Sequence, residues 1–230
     1  MARRQVDTMS LGVGIATGLY GISFGALSVA SGLDIWQTQL LSLLMFSGGS
    51  QFAFIGVVAG GGLASLPAAI ASAWMLGVRN GFYALQMKPL LGLLGWKMPI
   101  AAQLTIDEST GVGTAQSSNE DTRRGFWLTG AAVFVFWNTL TFAGALLGNA
   151  LGDPRIYGLD AAAAAAFLGL LWPRLSSLQP LAVAVASAFV AVALTPVLAA
   201  GIPILLAAIV ALIVGGFNIF AKRSSAGDLT

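Results

Sequence analysis

From Leu40 to Val58 the chain is apolar for long enough to cross a bilayer, yet the middle of that run reads Phe46-Ser47-Gly48-Gly49-Ser50-Gln51-Phe52. Two adjacent glycines give up helix propensity, and the serines and glutamine bring polar groups into a medium without water. Backbone of this kind is tolerated at membrane depth only where it is buried in protein or lines a wet cavity. The stretch from Ser47 to Gln51 therefore reads as a break in a membrane helix and as part of a substrate site. The alternative is a tight crossing of two helices through small residues, with Gln51 bonding between them.

The rest of the composition fits a membrane setting. Hydrophobic residues make up 57% of the chain and charged ones 9%, against about 25% charge in a soluble domain. Mean hydropathy is +0.85. The apolar runs are too long and too weakly alternating for an outer-membrane barrel. The expected fold is an all-α integral membrane protein, a bundle of about 7–8 transmembrane helices with at least one of them broken. It forms one transporter domain over residues 1–230, with polar tails at about 1–10 and 222–230. The net charge of +2 is carried in small clusters between apolar spans, which is no nucleic-acid signature. There is no cysteine and no histidine, so disulfides, thiol chemistry and the usual metal ligand and catalytic base are missing. No cofactor or metal site is expected. Met1-Ala2-Arg3-Arg4 leads into the first span without a small-residue cleavage site, the pattern of a retained helix.

The first span, about Leu11 to Ser31, carries Gly14, Gly18, Gly21 and Gly25 at three- and four-residue spacing. This puts them on one face for close helix packing. After the turn Gly32-Leu33-Asp34 comes the interrupted span, about Trp36 to Ala59. A third span, about Leu63 to Gln86, holds Arg79, Asn80 and Tyr83. Arg79 either snorkels toward Lys88 or faces the bundle interior, where a charge needs a partner and marks a substrate path. Residues 89–116 are apolar but interrupted by Lys97 and Pro99, and they carry Asp107 and Glu108. Further spans are expected at about 126–150, 159–172, 178–200 and 202–221.

Counting loop charge favours eight crossings with both termini cytoplasmic, residues 89–116 crossing once. Arg3, Arg4, Arg123, Arg124, Arg174, Lys222 and Arg223 then fall on one side, and Lys88 falls opposite. Seven crossings with 89–116 dipping in and returning is the alternative. An internal echo joins Gly32-Leu33-Asp34 before the broken helix to Gly158-Leu159-Asp160 before a short helix stopped by Pro173. Interrupted helices at matching places in two halves are the pattern of transporter repeats.

A broken helix exposes unpaired amides at the start of its second half, where the dipole favours an anion. Ser47, Gly48, Gly49, Ser50 and Gln51 would suit a carboxylate, with Arg79 adding a charge-assisted bond and Asn80 and Tyr83 close by. Asp107 and Glu108 could hold an ammonium group or carry a coupling proton; their alternative is a helix-end loop at the membrane surface. Phe46, Phe52, Phe54 and Tyr83 would wall an aliphatic side chain.

These residues also carry a resemblance. Phe24-Gly25, Phe46 to Phe52, Arg79-Asn80-Gly81-Phe82-Tyr83 and Thr105-Ile106-Asp107-Glu108-Ser109 occur in that order. Gly158-Leu159-Asp160 and Phe167 to Pro173 follow. The set resembles the AzlC family, the large subunits of two-component branched-chain amino acid exporters, over about residues 10–220. The family often has His after the arginine, where this chain has Asn80. The resemblance implies export of hydrophobic amino acids across the bacterial inner membrane, driven by protons. It also implies a small membrane partner of the AzlD type. The missing Gly-x-x-x-x-Gly-Lys phosphate loop agrees with a process not driven by ATP. An intramembrane enzyme is disfavoured, since there is no His-Glu-x-x-His and no paired aspartate set. A channel would want a ring of repeated polar residues, and a scaffold would not need the break.

Overall fold

The structure, a computed structural model, describes residues 3–151, 156, 165, 168–169, 171–172 and 175–217. Among these, the regular elements are helices: α1 (Arg3–Ala30), α2 (Ile35–Leu44), α3 (Gly48–Gly61) and a 3-10 turn (Gly62–Ser65). Then come α4 (Leu66–Leu91), α5 (Lys97–Gln103), α6 (Asp107–Thr114), α7 (Asn119–Leu151), α8 (Leu178–Leu194) and α9 (Ile202–Gly216). The all-α membrane bundle expected from composition is what the chain forms.

The frame is a parallel pair, α1 and α7. With 28 residues α1 is about 42 Å long, more than the ~30 Å of a bilayer's hydrocarbon core. It begins at Arg3, so most of the expected polar tail is already helix. Those first turns are anchored by charge. Arg124 of α7 donates to Asp7 through Nε (2.6 Å) and Nη2 (2.9 Å), and Arg3 pairs with Glu120. Further along, the glycine stripe does what its spacing predicts. A Cβ at Gly14 would lie 2.6 Å from the Ala132 Cβ, and one at Gly18 would lie 2.6 Å from the Phe136 Cβ. Gly21 and Gly25 press on the α7 backbone in the same way. Small residues let the two backbones approach, and dispersion contacts hold them where lipid offers no hydrophobic drive.

The interrupted second span turns back instead of crossing. Asp34 caps α2 through a reciprocal pair, its Oδ1 accepting from the Gln37 N–H (2.8 Å) and its N–H donating to Gln37 Oε1 (2.9 Å). Ser28 and Thr38 hydroxyls bond at 2.8 Å, so α2 starts beside the end of α1. Its 10 residues reach about 15 Å, half the apolar thickness. The chain breaks at residues 45–47. There Phe46 packs edge-on against Phe134 (centroids 5.0 Å apart) and Gly48 lies under Trp137, both in mid-α7. α3 then returns, and Val57 and Val58 cluster with Leu33, Leu66 and Ala69 at the Ala30 end. From there α4 runs antiparallel to α1 and ends where Arg123 Nε donates to the Leu90 carbonyl (3.1 Å).

Residues 89–116 also re-enter, from the opposite face. This overturns the expectation that they cross. Met98 and Ala101 share a recess with Lys88 and Leu91 at the Arg3 end. Leu104 reaches Gly130 in mid-α7, and Gln103 Nε2 donates to the Leu43 carbonyl (2.8 Å) at the tip of the first pair. α6 then comes back, with Gly113 against Met87 and Phe126. At 7 and 8 residues, α5 and α6 are each about 10–12 Å long, too short to cross. Ser109 holds the reversal: its Oγ accepts from the Ile106 N–H (3.1 Å) and donates to the Leu104 carbonyl (2.6 Å).

The chain thus contains two like units in opposite senses, α1 with the α2–α3 pair and α4 with the α5–α6 pair, their tips touching at mid-depth. This is a repeat of a different kind from the expected echo, whose second half, Gly158-Leu159-Asp160, lies outside the described residues. Two re-entries also restore the direction of α7 that two crossings would give. Arg3, Arg4, Lys88, Lys97, Arg123 and Arg124 consequently all lie at the Arg3 end, whereas crossing spans would have put Lys88 opposite. α8 and α9 form an antiparallel pair, joined where the Ser187 Oγ donates to the Ala207 carbonyl (3.1 Å). Their turn, with Gly201 at φ +87°, seats on Val57 and Ala68. Residues 222–230, expected as a polar tail, lie outside the described residues, as does most of the span expected at 159–172.

Candidate functional site

Where the two tips meet, a small cavity of about 40 Å³ lies between α1, α3, α4, α6 and α7. Its floor is the first turn of α3. Ser47 takes the N-cap position with extended backbone but makes no side-chain cap bond. The first internal bond of α3 runs from the Gln51 N–H to the Ser47 carbonyl (3.1 Å). The amides of Gly48, Gly49 and Ser50 therefore have no partner within their helix. The structure puts the break at residues 45–47, just before the glycines, which become the helix N-terminus. Their smallness admits neighbours. A Cβ on Gly48 would lie 3.1 Å from the Trp137 ring, and one on Gly49 would lie 2.8 Å from Arg79 Nη2.

α6 begins at the same cavity, but its positive end is covered by its own first-turn carboxylates, Asp107 and Glu108. Asp107 is fully engaged. Arg79 Nη2 lies 2.8 Å from Oδ2, and the Tyr83 hydroxyl donates to Oδ1 at 2.6 Å. Arg79 thus faces the interior and does not snorkel, and the acidic pair is at the tip of a re-entrant hairpin, not in a surface loop. Glu108 borders the cavity, where Thr17 Oγ1 donates weakly to its Oε1 at 3.5 Å. Among the described residues no cation pairs with it. Phe52 and Trp137 also border the cavity; they meet edge-on, and Phe24 packs edge-on to Phe52 and stacked on Trp137, at centroid separations of 5.7–6.3 Å.

The residues expected at the site are therefore divided. Ser47, Gly48, Gly49, Arg79, Asp107 and Glu108 border the cavity. Tyr83 reaches it through Asp107. Ser50 and Asn80 line a larger groove of about 510 Å³ on the far side of the Phe46–Ser47 wall. Phe54 packs away from the cavity, against Val57 and Val58. Gln51 is fully buried and turns back to α2, where its Nε2 donates to the Ser42 (3.3 Å) and Leu41 (3.5 Å) carbonyls. It supplies donors to the end of a helix that has none of its own beyond the break. Thr17, Trp137 and Ser109 were given no role by the sequence reading. Ser109 was within reach of it, because a serine two residues after Asp107 can bond back across a chain reversal.

About 40 Å³ holds a few waters. An amino acid needs more room than this arrangement leaves. Widening the cavity means moving one hairpin tip from the other.

The family model described as AzlC protein matches residues 12–151, more than half of the 230-residue chain, from α1 through both hairpins to the end of α7. Comparison with curated proteins and with solved structures gave no match.

Proposed function

The chain belongs to the AzlC family, which is associated with branched-chain amino acid transport and works with a partner. From that premise we propose that it exports branched-chain amino acids, coupled to protons, together with a small membrane subunit of the AzlD type. The observation that carries the proposal is a small cavity holding a helix N-terminus without a side-chain cap and, within reach of one small ligand, a carboxylate that no cation pairs with among the described residues. The α3 amides take the substrate carboxylate, where the helix dipole favours negative charge. Glu108 takes the ammonium group or the coupling proton. Phe46, Phe52 and Val133 meet the aliphatic chain. Arg79 is held by Asp107, so its role here is to brace the second hairpin against α4, and it becomes available to a substrate carboxylate only when that pair parts.

Placing the Arg3 end in the cytoplasm of an inner membrane follows the positive-inside rule, with six basic residues at that end and Asp34 at the other. The second hairpin then opens inward and the first outward, the arrangement that alternating access requires. The experiment is efflux of preloaded labelled leucine from vesicles, with and without the small neighbouring membrane protein and with and without a proton gradient. Saturable efflux that needs both is the expected result. Absence of leucine flux under every condition overturns the substrate assignment.

A further inference from the structure

We propose that the groove beside α4 is a second seat of the kind that α7 fills on α1, and that one membrane-spanning helix of the small membrane subunit occupies it. The two repeat units align in sequence at a fixed offset. α2 ends at Leu44 and α5 at Gln103, and the N-caps of α3 and α6 are Ser47 and Ile106; both pairs are 59 residues apart (44 to 103, 47 to 106). The same offset carries Gly14, Gly18, Gly21 and Gly25, the residues that receive α7, onto Ala73, Gly77, Asn80 and Ala84 of α4. It also carries the contacts of α7 with the hairpin tips. Phe46, which meets Phe134, maps onto Thr105, and Leu104, which meets Gly130, maps back onto Met45.

The mapped residues lie together. Met45, Ala73, Gly77, Asn80 and Thr105 line the groove of about 510 Å³, and Ala84 lines the recess next to it, which shares Thr105. Among the described residues, none from α8 or α9 lines the groove. A Cβ on Gly81 would meet nothing within 4 Å, and Leu44, Trp74 and Val78 are exposed along the rim. From Ile70 to Gly81 the groove follows α4 for about 16 Å, three helical turns. Lipid is a poor occupant. Ser47, Ser50 and Asn80 line the groove beside the mid-depth tips, and no described residue hydrogen-bonds the Asn80 side-chain oxygen. Acyl chains bring no hydrogen bonds, whereas a helix packs closely on small residues and brings polar side chains with it. A second copy of this chain is a poor occupant too. A twofold contact needs a self-complementary patch, and two grooves face to face leave a void. A single helix of another chain fits both the length and the polarity. Since α7 runs parallel to α1, the occupant runs parallel to α4, from the Ala30 end toward the Arg3 end. It covers the side of both hairpin tips that α7 leaves open to lipid, which gives the chain a physical reason to need a partner.

The inference rests on the two-subunit reading for the identity of the occupant, and the test separates the two. The full chain is produced in membranes with the tagged small subunit, and a benzophenone side chain is placed in turn at Trp74 and Val78 on the rim, or at Leu19 and Phe189, exposed elsewhere. On irradiation, positions 74 and 78 should crosslink to the small subunit, and 19 and 189 should not. Crosslinks from position 70 should map N-terminal, on the partner helix, to those from position 81. Gly81→Leu fills the groove. It should leave unfolding of the chain alone unchanged and weaken association with the small subunit by about ten-fold or more. Gly12→Leu, equally free of neighbours on α1, should do neither. If Gly81→Leu destabilises the chain alone, the crosslinks decide. Crosslinks from 19 or 189 with none from 74 or 78 overturn the seat and retain the two-subunit reading. Crosslinks from 74 and 78 into a second copy or within the chain overturn it as well, as does wild-type association of a stable Gly81→Leu variant. The reverse order of the 70 and 81 crosslinks overturns the equivalence with α7. A small subunit that neither co-purifies nor crosslinks at any position rejects the two-subunit reading, and the occupant with it.

Discussion

Neutralising Asp107 should destabilise the protein, and a second substitution at Arg79 should restore much of the loss. Arg79 Nη2 and Asp107 Oδ2 lie 2.8 Å apart, and the two side chains are only 26% and 22% exposed. At an effective dielectric constant of about 20, that separation gives roughly 6 kcal/mol of attraction. Most of it is offset by removing two ions from water. The pair as a whole therefore adds little net stability, whereas either ion left alone bears its desolvation cost uncompensated. Asp107→Asn should cost about 3 kcal/mol, toward the lower end for a broken buried pair because the cavity admits some water. Arg79→Gln should cost about the same. The double substitution should cost about 1 kcal/mol and not the sum of about 6, because it leaves no uncompensated ion. The assay is unfolding in mixed micelles of rising denaturing-detergent content, with all four proteins under the same conditions. Additive losses would mean that the two side chains do not hold the second hairpin against α4, and the site would have to be rebuilt without that brace.

Other substitutions probe separate parts of the structure. Gln51→Ala removes the donor at the Ser42 and Leu41 carbonyls. It should cost about 1–2 kcal/mol and reduce leucine flux in protein that still inserts; unchanged unfolding and flux would remove Gln51 from the tip. Glu108→Gln should slow leucine efflux and abolish its response to a pH gradient, and an unaltered pH response would exclude Glu108 from coupling. Gly18→Ala forces a Cβ against the Phe136 Cβ and should cost about 1–3 kcal/mol. Gly12→Ala, with nothing within 4 Å, should be close to neutral by the same unfolding assay.

How much of this was legible in the sequence depends on which forces act locally. The α1 stripe of Gly14, Gly18, Gly21 and Gly25 was readable because helix periodicity alone places those residues on one face. The break near Ser47 was readable because polar residues and paired glycines conflict with a lipid-facing helix. Re-entry was not readable at the first hairpin, and at residues 89–116 it was legible only as the alternative that charge counting ranked second. A run such as Trp36 to Ala59 is long enough to span, and only its contacts with α7 and α4 turn it back. Charge counting could not expose the error, since two re-entries leave α7 pointing the same way; only Lys88 changed sides. Within the site, the residue types were legible and their partners were not. Gln51 reads as a ligand-facing amide, yet the unpaired carbonyls at the end of α2 claim it. Arg79 and Asp107 read as opposite poles for one substrate, yet they meet each other. Trp137 sits 86 residues from Gln51 in an ordinary apolar span, and nothing local distinguishes it from Trp127 or Trp172.

The site exists only if two hairpins enter from opposite faces and meet, and single-cysteine labelling in intact membranes tests this. The chain has no cysteine of its own, so each introduced thiol reports one position. Ser31→Cys and Ala64→Cys flank the first hairpin, and Lys97→Cys and Ser118→Cys flank the second. With a membrane-impermeant reagent, positions 31 and 64 should label from one face, and 97 and 118 from the other. Labelling of 97 and 118 from opposite faces would mean that residues 89–116 cross after all. The cavity between the tips would then have no basis.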